Sequence, residues 1–321
     1  VKTIYGQEHT RVEAVRWIYE NIPALFQLRG QELSDNRNSG IPLPAPETVQ
    51  LTMDAPHETT FVPRQDIEIS ALTMPHVLST SSAVKSAQLK ISILNQAGEI
   101  LSETDAPLPE DLDDGEVTLS LRSAQLRAGE RYTLKVELQS GSPLSLRRSV
   151  IANENWDEGL PFPLDGYDPF GQFYKGLTNE VRWSDSEAKK EMLLIVLEQA
   201  DYLILPSQRS VWSAARIPLT YPMTLDYYEA LFDGSLGFEL AAEFQRPFAF
   251  GPLRVSDLAG SIAWNQDPVL PVKNLSIWSA EEAFSVYDHP PVWIFKKADD
   301  FDLSAAKSIL DRADLTQVMS H

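Results

Sequence analysis

The feature that most constrains this chain is a change of hydrophobic period. From about Thr48 to Leu146, apolar and polar residues alternate in short runs (TVQLTM, DIEISAL, AQLKISIL, EILSE, EVTLSL, RYTLKVEL) separated by Gly, Pro, Asp and Asn. A period of two places successive side chains on opposite faces of an extended backbone, so each run reads as a half-buried strand and the punctuation as turns. About seven such strands predict an all-β sandwich over residues 45–148.

On either side the period is helical or mixed. Thr10, with Glu13 three residues on, has the capping-box pattern and opens an amphipathic helix whose stripe is Val12, Val15, Ile18, Tyr19 and Ile22, ending at Pro23. Gln31 to Pro46, polar and then Pro-rich, reads as a linker. After Ser149, Val150–Ala152 reads as a buried strand. Ser184 with Glu187 opens a helix that runs into the apolar strand Tyr202–Leu205. Thr224 caps a helix over Leu225–Phe232 ahead of Asp233-Gly234, strands follow at Phe238–Phe244 and Val292–Phe295, and a last helix spans about Ser304 to Arg312. Helices alternating with strands point to a layered α/β structure. The expected fold class is therefore α+β or α/β: a small layered domain from residues 1–30 and 149–321, carrying an inserted sandwich at 45–148. The tail LRAGERYTLKVEL, a Gly turn feeding an alternating strand, resembles the late strand pair of immunoglobulin-like modules.

Charge and composition remove several functions. The 321 residues hold 27 Lys+Arg against 46 Asp+Glu, a net charge of −19, which repels phosphates and argues against a nucleic-acid partner or a polyanionic membrane surface reached without a separate anchor. No cysteine is present, which excludes disulfides, thiolate nucleophiles and Cys-based metal centres. The longest apolar run, Met192 to Leu197, is far short of the roughly 20 residues that cross a bilayer. With no initiator Met and no signal-peptide pattern at its start, the chain is expected to be an excised piece of a longer protein.

Five motifs, in order, carry a family resemblance: IYGQEHTRVEAVRWIYENIP, SVIANENWDEGLP, LEQADYLILPSQR, IPLTYPMTLDYYEALFDGSLGFEL and EEAFSVYDHPPVWIFKK. Together they resemble the C-terminal extramembrane part of the YYY family, polytopic membrane proteins of Chloroflexi and archaea that are similar to GT-C glycosyltransferases. The resemblance covers residues 1–23 and about 149–297 and leaves out the sandwich, which separates YENIP from SVIANENWD. It implies an accessory part at the extracytoplasmic face of the cell membrane within a multi-pass protein. Its partners would be the membrane-embedded helices of the same polypeptide and a glycan or lipid-linked sugar. In GT-C enzymes the catalytic carboxylate lies between early membrane helices, so the resemblance implies no catalytic residue in this segment.

Candidate ligand-binding residues follow from their chemistry. Glu154, Trp156 and Asp157 sit just past a strand end, where two carboxylates flanking an indole could bind sugar hydroxyls while the ring stacks on a pyranose. The same two acids are what a glycoside hydrolase needs, and the competing structural reading is a self-bonded loop with a gap-filling Trp. Trp183 and Trp264 lie in similar loops. Asp288 and His289, after Tyr287 and before Pro290-Pro291, offer a carboxylate and an imidazole, with Ser207 as a lone hydroxyl for a weak Ser–His–Asp arrangement; no G-x-S-x-G elbow occurs. Tyr227 and Tyr228 belong to a Tyr-rich helix on which Tyr228 and Phe232 share a face, as core residues do, and a Tyr off that face could reach a glycan or headgroups. Arg209 and Arg216, flanking a Trp212 loop, are the local candidates for an anionic group. His9, His57, His76, His289 and His321 have no metal-ligand spacing, and the run Glu110 to Gly115 reads as a solvated turn rather than a calcium loop. No cofactor, nucleotide or metal is expected. The rival readings are a stand-alone glycan or ester hydrolase using Glu154, Asp157 or His289, and a structural surface module.

Overall fold

The structure, a computed structural model, describes residues 8–79, 87–109, 112–245, 248–250, 253–255 and 289–319, with 248–250 and 253–255 described by backbone alone. The chain divides into two compact units: Trp17–Ser149 with Pro163–Lys175, and Val1–Arg16 with Val150–Phe162 and Gly176–His321. The boundary differs from the sequence reading: the residues expected as the linker and part of the opening helix belong with the strands.

The β-rich unit follows helix α1 (Thr10–Asn21), whose last turns it includes. Its strands are β1 (Phe26–Glu32), β2 (Asn38–Leu43), β3 (Thr48–Leu51), β4 (His57–Phe61), β5 (Ile67–Ser79), β6 (Gln88–Leu94), β7 (Ile100–Pro107), β8 (Asp113–Leu126), β9 (Tyr132–Ser140) and β10 (Leu144–Arg147). Six form one sheet, in the order β2-β1-β5-β10-β3 with β8 also on β5, and four form another, β4-β9-β6-β7. The pairs are antiparallel. Leu28, Ile69, Leu72 and Leu146 of the first sheet share one core with Leu89, Ile91, Leu134 and Val136 of the second.

The expected linker Gln31–Pro46 is a hairpin. Asn36 takes the left-handed conformation (φ 58°) that Asn tolerates, and the turn lets β2 pair with β1 from Gln31↔Asn38 to Phe26↔Leu43. Pro42 is accommodated because β2 is an edge strand, with alternate N–H groups outside the ladder. Likewise Pro75, which reads as a break, lies inside β5 at a bulge where the register with β8 shifts between Met74 and Val77. Among the described residues, eight strands (β3–β10) lie in the range where about seven are expected, and β1 and β2 precede it. Asp113, Asp114 and Gly115, expected in a turn, begin β8, and Asp114 is bonded by Arg147 at 2.6 Å; Glu110 and Asp111 lie outside the described residues.

Side chains of β1 close the C-terminal end of α1. Gln27 Nε2 donates to Tyr19 O (2.9 Å), and Arg29 donates to Glu20 O (2.7 Å) and Asn21 O (2.9 Å). These are carbonyls a helix cannot satisfy by itself.

The other unit contains β11 (Val150–Glu154), β12 (Lys175–Asn179), α2 (Glu187–Gln199), β13 (Tyr202–Leu205), α3 (Arg209–Arg216), α4 (Pro222–Asp233), β14 (Phe238–Phe244), the pair β15 (Phe248–Phe250) and β16 (Leu253–Val255), β17 (Val292–Lys297) and α5 (Leu303–Leu310). Its main sheet runs β12-β11-β13-β17-β14, with β11 parallel to β13 and β17 antiparallel to both its neighbours. Every residue of β11 and β13 is buried, as expected of strands covered on both faces. Leu193 and Leu197 of α2, Tyr227 and Leu231 of α4, and Leu203, Trp293 and Phe295 of the sheet share a core.

The caps differ from those expected. His9 caps α1: its Nδ1 accepts from Arg11 N (3.2 Å), while the Thr10 hydroxyl donates to Pro290 O (2.7 Å). Ser186, not Ser184, caps α2 by accepting from Lys189 N at 3.2 Å. Thr224 lies within α4, and the N–H it presents is taken by Asp185 at 2.9 Å. Asp185 in turn holds the buried Lys189 ammonium at 2.9 Å, and that ammonium also donates to Thr224 Oγ1 (2.6 Å), Val181 O (2.9 Å) and Trp183 O (2.7 Å). Gly234 ends α4 in the left-handed region at φ 82°, which glycine reaches without strain.

Candidate functional site

Strands β11 and β13 lie side by side in parallel (Ile151↔Tyr202, Asn153↔Ile204), so the segments leaving their C-terminal ends emerge at one sheet edge. Parallel sheets offer ligand groups at that edge because the departing loops diverge and leave polar groups facing a crevice. The first segment is a loop fixed by Asn153, which donates to Leu160 O (2.7 Å) and accepts from Leu160 N (2.8 Å). Gly159 lets the loop close over Asn153, whose Cγ would stand 2.9 Å from an added Cβ. The second segment is Ser207-Gln208, leading into α3.

The two segments meet through polar side chains. The buried Ser207 hydroxyl donates to Asp157 Oδ2 and accepts from Arg209 N (3.1 Å), while Arg209 Nη1 approaches Asp157 Oδ1 at 3.4 Å. Arg11 donates to Glu158 O. Burial lowers the Arg11 pKa, and the charges of Asp157 and Glu158 oppose that shift. Trp156, half-buried, sits on the same loop.

Beneath them lies Glu154, 3% exposed. The Ser210 hydroxyl donates to its Oε2, and Oε1 is buried with no hydrogen-bond partner of good geometry among the described residues. Burial pushes the Glu154 carboxyl up to about 7, against the stabilising pull of Ser210, Tyr228 and Lys189, and the Asp157 charge adds to the rise.

The sequence-predicted residues separate into three groups. Glu154, Asp157 and Arg209 are brought together, with Trp156 on their loop. Tyr227 and Tyr228 are not ligand-facing: both are fully buried on the core side of α4, and Tyr227 accepts from Asn179 Nδ2 at 3.1 Å. Their burial raises both phenols well above the usual range. Phe232 packs edge-on against Trp293 and Phe295 at 5.3 and 5.4 Å, so α4 turns its aromatic residues inward. Asp288, with Tyr287 and Trp264, lies outside the described residues. His289 is buried and stacks on His9 at 5.1 Å. Trp212 is on helix α3 rather than in a loop, and Arg216 lies over its ring at 4.5 Å instead of being presented to an anion. Trp183 is exposed, with its indole N–H on Glu180 at 2.9 Å.

Sequence reasoning missed Ser210 and the Asp185–Lys189–Thr224 group, whereas Asn153 bonds its own loop as the self-bonded reading expects. Only the spacing of Ser207 and Ser210 just past a strand could have signalled the first. The others depend on which segments become neighbours.

Asp157 is held by Ser207 and Arg209 and Glu154 is sealed below, so the two acids do not form an open pair across a scissile bond. The Ser207 hydroxyl is buried and donates to the Asp157 carboxylate, and no imidazole is bonded to it among the described residues. Among the described residues no group of three or more His, Asp or Glu is placed to hold a metal ion.

No family model and no curated protein matches the chain. Among solved structures, a CocE/NonD family hydrolase from Staphylococcus aureus has a TM-score of 0.25 at 8% identity over 38% of this chain. An arabinose-bound GH51 α-L-arabinofuranosidase has a TM-score of 0.20 at 9% identity over 39% of it. The chain spans 34% and 26% of the lengths of those two structures. Likeness at this level carries no argument about fold or activity.

Proposed function

We propose that this chain is the extracytoplasmic accessory part of a GT-C-like multi-pass membrane protein, and that it binds an acceptor or glycan without catalysing a reaction. The observation that carries the binding role is the Asp157–Ser207–Arg209 group beside Trp156 at the C-terminal ends of β11 and β13. The side chains of Arg209 and Asp157, 36% and 17% exposed, offer donors and an acceptor, and Trp156 on the same loop as Asp157 offers the apolar face that a sugar ring requires. The family resemblance supplies the membrane context, with the membrane-embedded helices of the same polypeptide as partners. None of the described helices is long and apolar enough to cross a bilayer, and the reading assigns the spans to another part of the polypeptide. The paired antiparallel sheets are, in this reading, an immunoglobulin-like sandwich inserted into the accessory domain.

The test is calorimetric titration of the chain with a saccharide panel and with polyprenyl phosphate. Binding is expected for at least one compound, weakened tenfold or more by Trp156→Ala and by Arg209→Ala. No binding, or binding indifferent to both substitutions, overturns the recognition role. Turnover of chromogenic glycosides or esters that is lost in Ser207→Ala transfers the chain to the hydrolases. A full-length reading frame without membrane helices removes the membrane context.

A further inference from the structure

We propose that the β-rich unit carries a ligand site of its own, a polar cleft on the face of its six-stranded sheet that takes a neutral polyhydroxylated molecule of mono- or disaccharide size. The inference uses none of the residues of the α/β unit and does not rest on the reading given above.

The cleft encloses about 530 Å³, within the roughly 300–1,000 Å³ of small-molecule sites. Its wall is the C-terminal end of α1 at Glu20, and its floor is made by Gln31 of β1, Asn38 of β2, Glu68 and Ser70 of β5, and Ser123 of β8. Among the described residues, all that line it are polar or glycine.

The floor is built around a break in a central strand. The register with β1 steps from Arg29↔Ala71 to Gly30↔Ile69, and that with β8 from Ser120↔Ala71 to Ala124↔Ile69. Ser70 thus has no residue opposite it on β1 or on β8. Bulges of this kind re-aim side chains and gather next to functional sites. The strands approach so closely here that a Cβ on Gly30 would stand 2.2 Å from Glu68 O.

Charge bookkeeping then selects the ligand. The Glu20 carboxylate is clamped by Arg37 at 3.1 and 3.3 Å, and the Arg29 guanidinium is committed to the helix carbonyls of Glu20 and Asn21. What remains is the amide pair Gln31 and Asn38 (3.5 Å apart), the Ser70 hydroxyl, and the Glu68 carboxylate, one oxygen of which accepts from Ser123 at 2.5 Å. An anionic ligand would meet Glu68 in a chain of net charge −19. Across the middle of the floor an added peptide strand finds no open ladder, because β1 is paired by β2 and β5, and β5 by β1, β8 and β10. An apolar ligand finds no apolar lining. Vicinal hydroxyls, each both donor and acceptor, match amides, a hydroxyl and a carboxylate. Without a ring to stack on, the affinity is expected on the order of millimolar.

Saturation-transfer NMR and calorimetry on the full chain with cellobiose, maltose, mannobiose and chitobiose, and with inorganic phosphate, test the proposal. At least one disaccharide is expected to bind, to lose tenfold or more in the exposed double variant Gln31→Ala/Asn38→Ala, to be excluded by Ser70→Tyr, and to be unaffected by Trp156→Ala. Thermal unfolding checks that the variants fold; if Ser70→Tyr does not, the double variant decides. Absence of binding by all four disaccharides overturns the proposal. So does binding that survives the double variant, or displacement of the sugar by phosphate. Loss in Trp156→Ala alone assigns the saccharide to the other unit and also overturns it.

Discussion

Replacing Glu154 by Gln keeps the shape of the side chain and removes its titration, which isolates the consequence of burying a carboxyl. Burial pushes this group from its ordinary 4.5 up to about 7. An acid whose folded pKa is raised stabilises the fold fully below the unfolded pKa, and that contribution is lost as pH rises through the folded one. The window is therefore about pH 4.5 to 7. At about 1.4 kcal/mol per pH unit, the difference between 4.5 and 7 amounts to about 3 kcal/mol. The group is completely buried, so solvent screening does not reduce this figure. The Gln variant cannot lose this contribution. The stability difference between wild type and Glu154→Gln should move by about 3 kcal/mol in favour of the variant between pH 4.5 and pH 8, and then level off. Urea unfolding followed by tryptophan fluorescence reads it, since Trp156, Trp183, Trp212 and Trp293 all lie in the same unit as Glu154. Two stability curves that stay parallel from pH 4.5 to 8 would show that Glu154 is ionised in the folded state at low pH, and would refute the reasoning.

Two further substitutions probe interactions that hold the units together internally. Lys189→Met removes the ammonium that neutralises Asp185, whose side chain is 0% exposed, and should cost about 3–5 kcal/mol by urea unfolding, with partial recovery on adding Asp185→Asn. Gly40→Ala would place a methyl 2.2 Å from Glu20 O, a backbone atom held by Arg29, and should destabilise the β-rich unit by about 1–3 kcal/mol in the same assay; a cost below about 0.5 kcal/mol would show that the helix end yields freely.

Much of the architecture was legible because it is written in local pattern. The alternation in RYTLKVEL appears as β9 with every second residue buried, and the apolar run Tyr202–Leu205 appears as β13 with the expected bounds. The strand at Phe238–Phe244 and the left-handed Gly234 are also where local chemistry puts them. Failures fell where a local rule was overridden by a partner. Pro42 and Pro75 read as breaks, yet an edge position and a bulge remove the hydrogen bond each lacks. Thr224 read as a cap, yet Asp185, 39 residues earlier, takes that role from outside the helix. On α4, Tyr228 and Phe232 read as core and a Tyr off that face as open to a ligand, yet Tyr227 is buried as well because of what the helix packs against.

What the sequence determined by itself was therefore the type and approximate place of the main strands and helices, the acidic character of the chain, and the absence of cysteine. These depend only on neighbours within a few positions or on counts. Tertiary structure alone decided that Glu154 is sealed while Asp157, three residues on, meets Ser207 and Arg209, 50 and 52 residues further along the chain. It also decided that two bulges coincide at Ser70 to form a cleft floor. Hydrogen-bond partners, desolvation and shape arise from segments distant in the chain becoming adjacent, and no periodicity within one segment records which segments those will be.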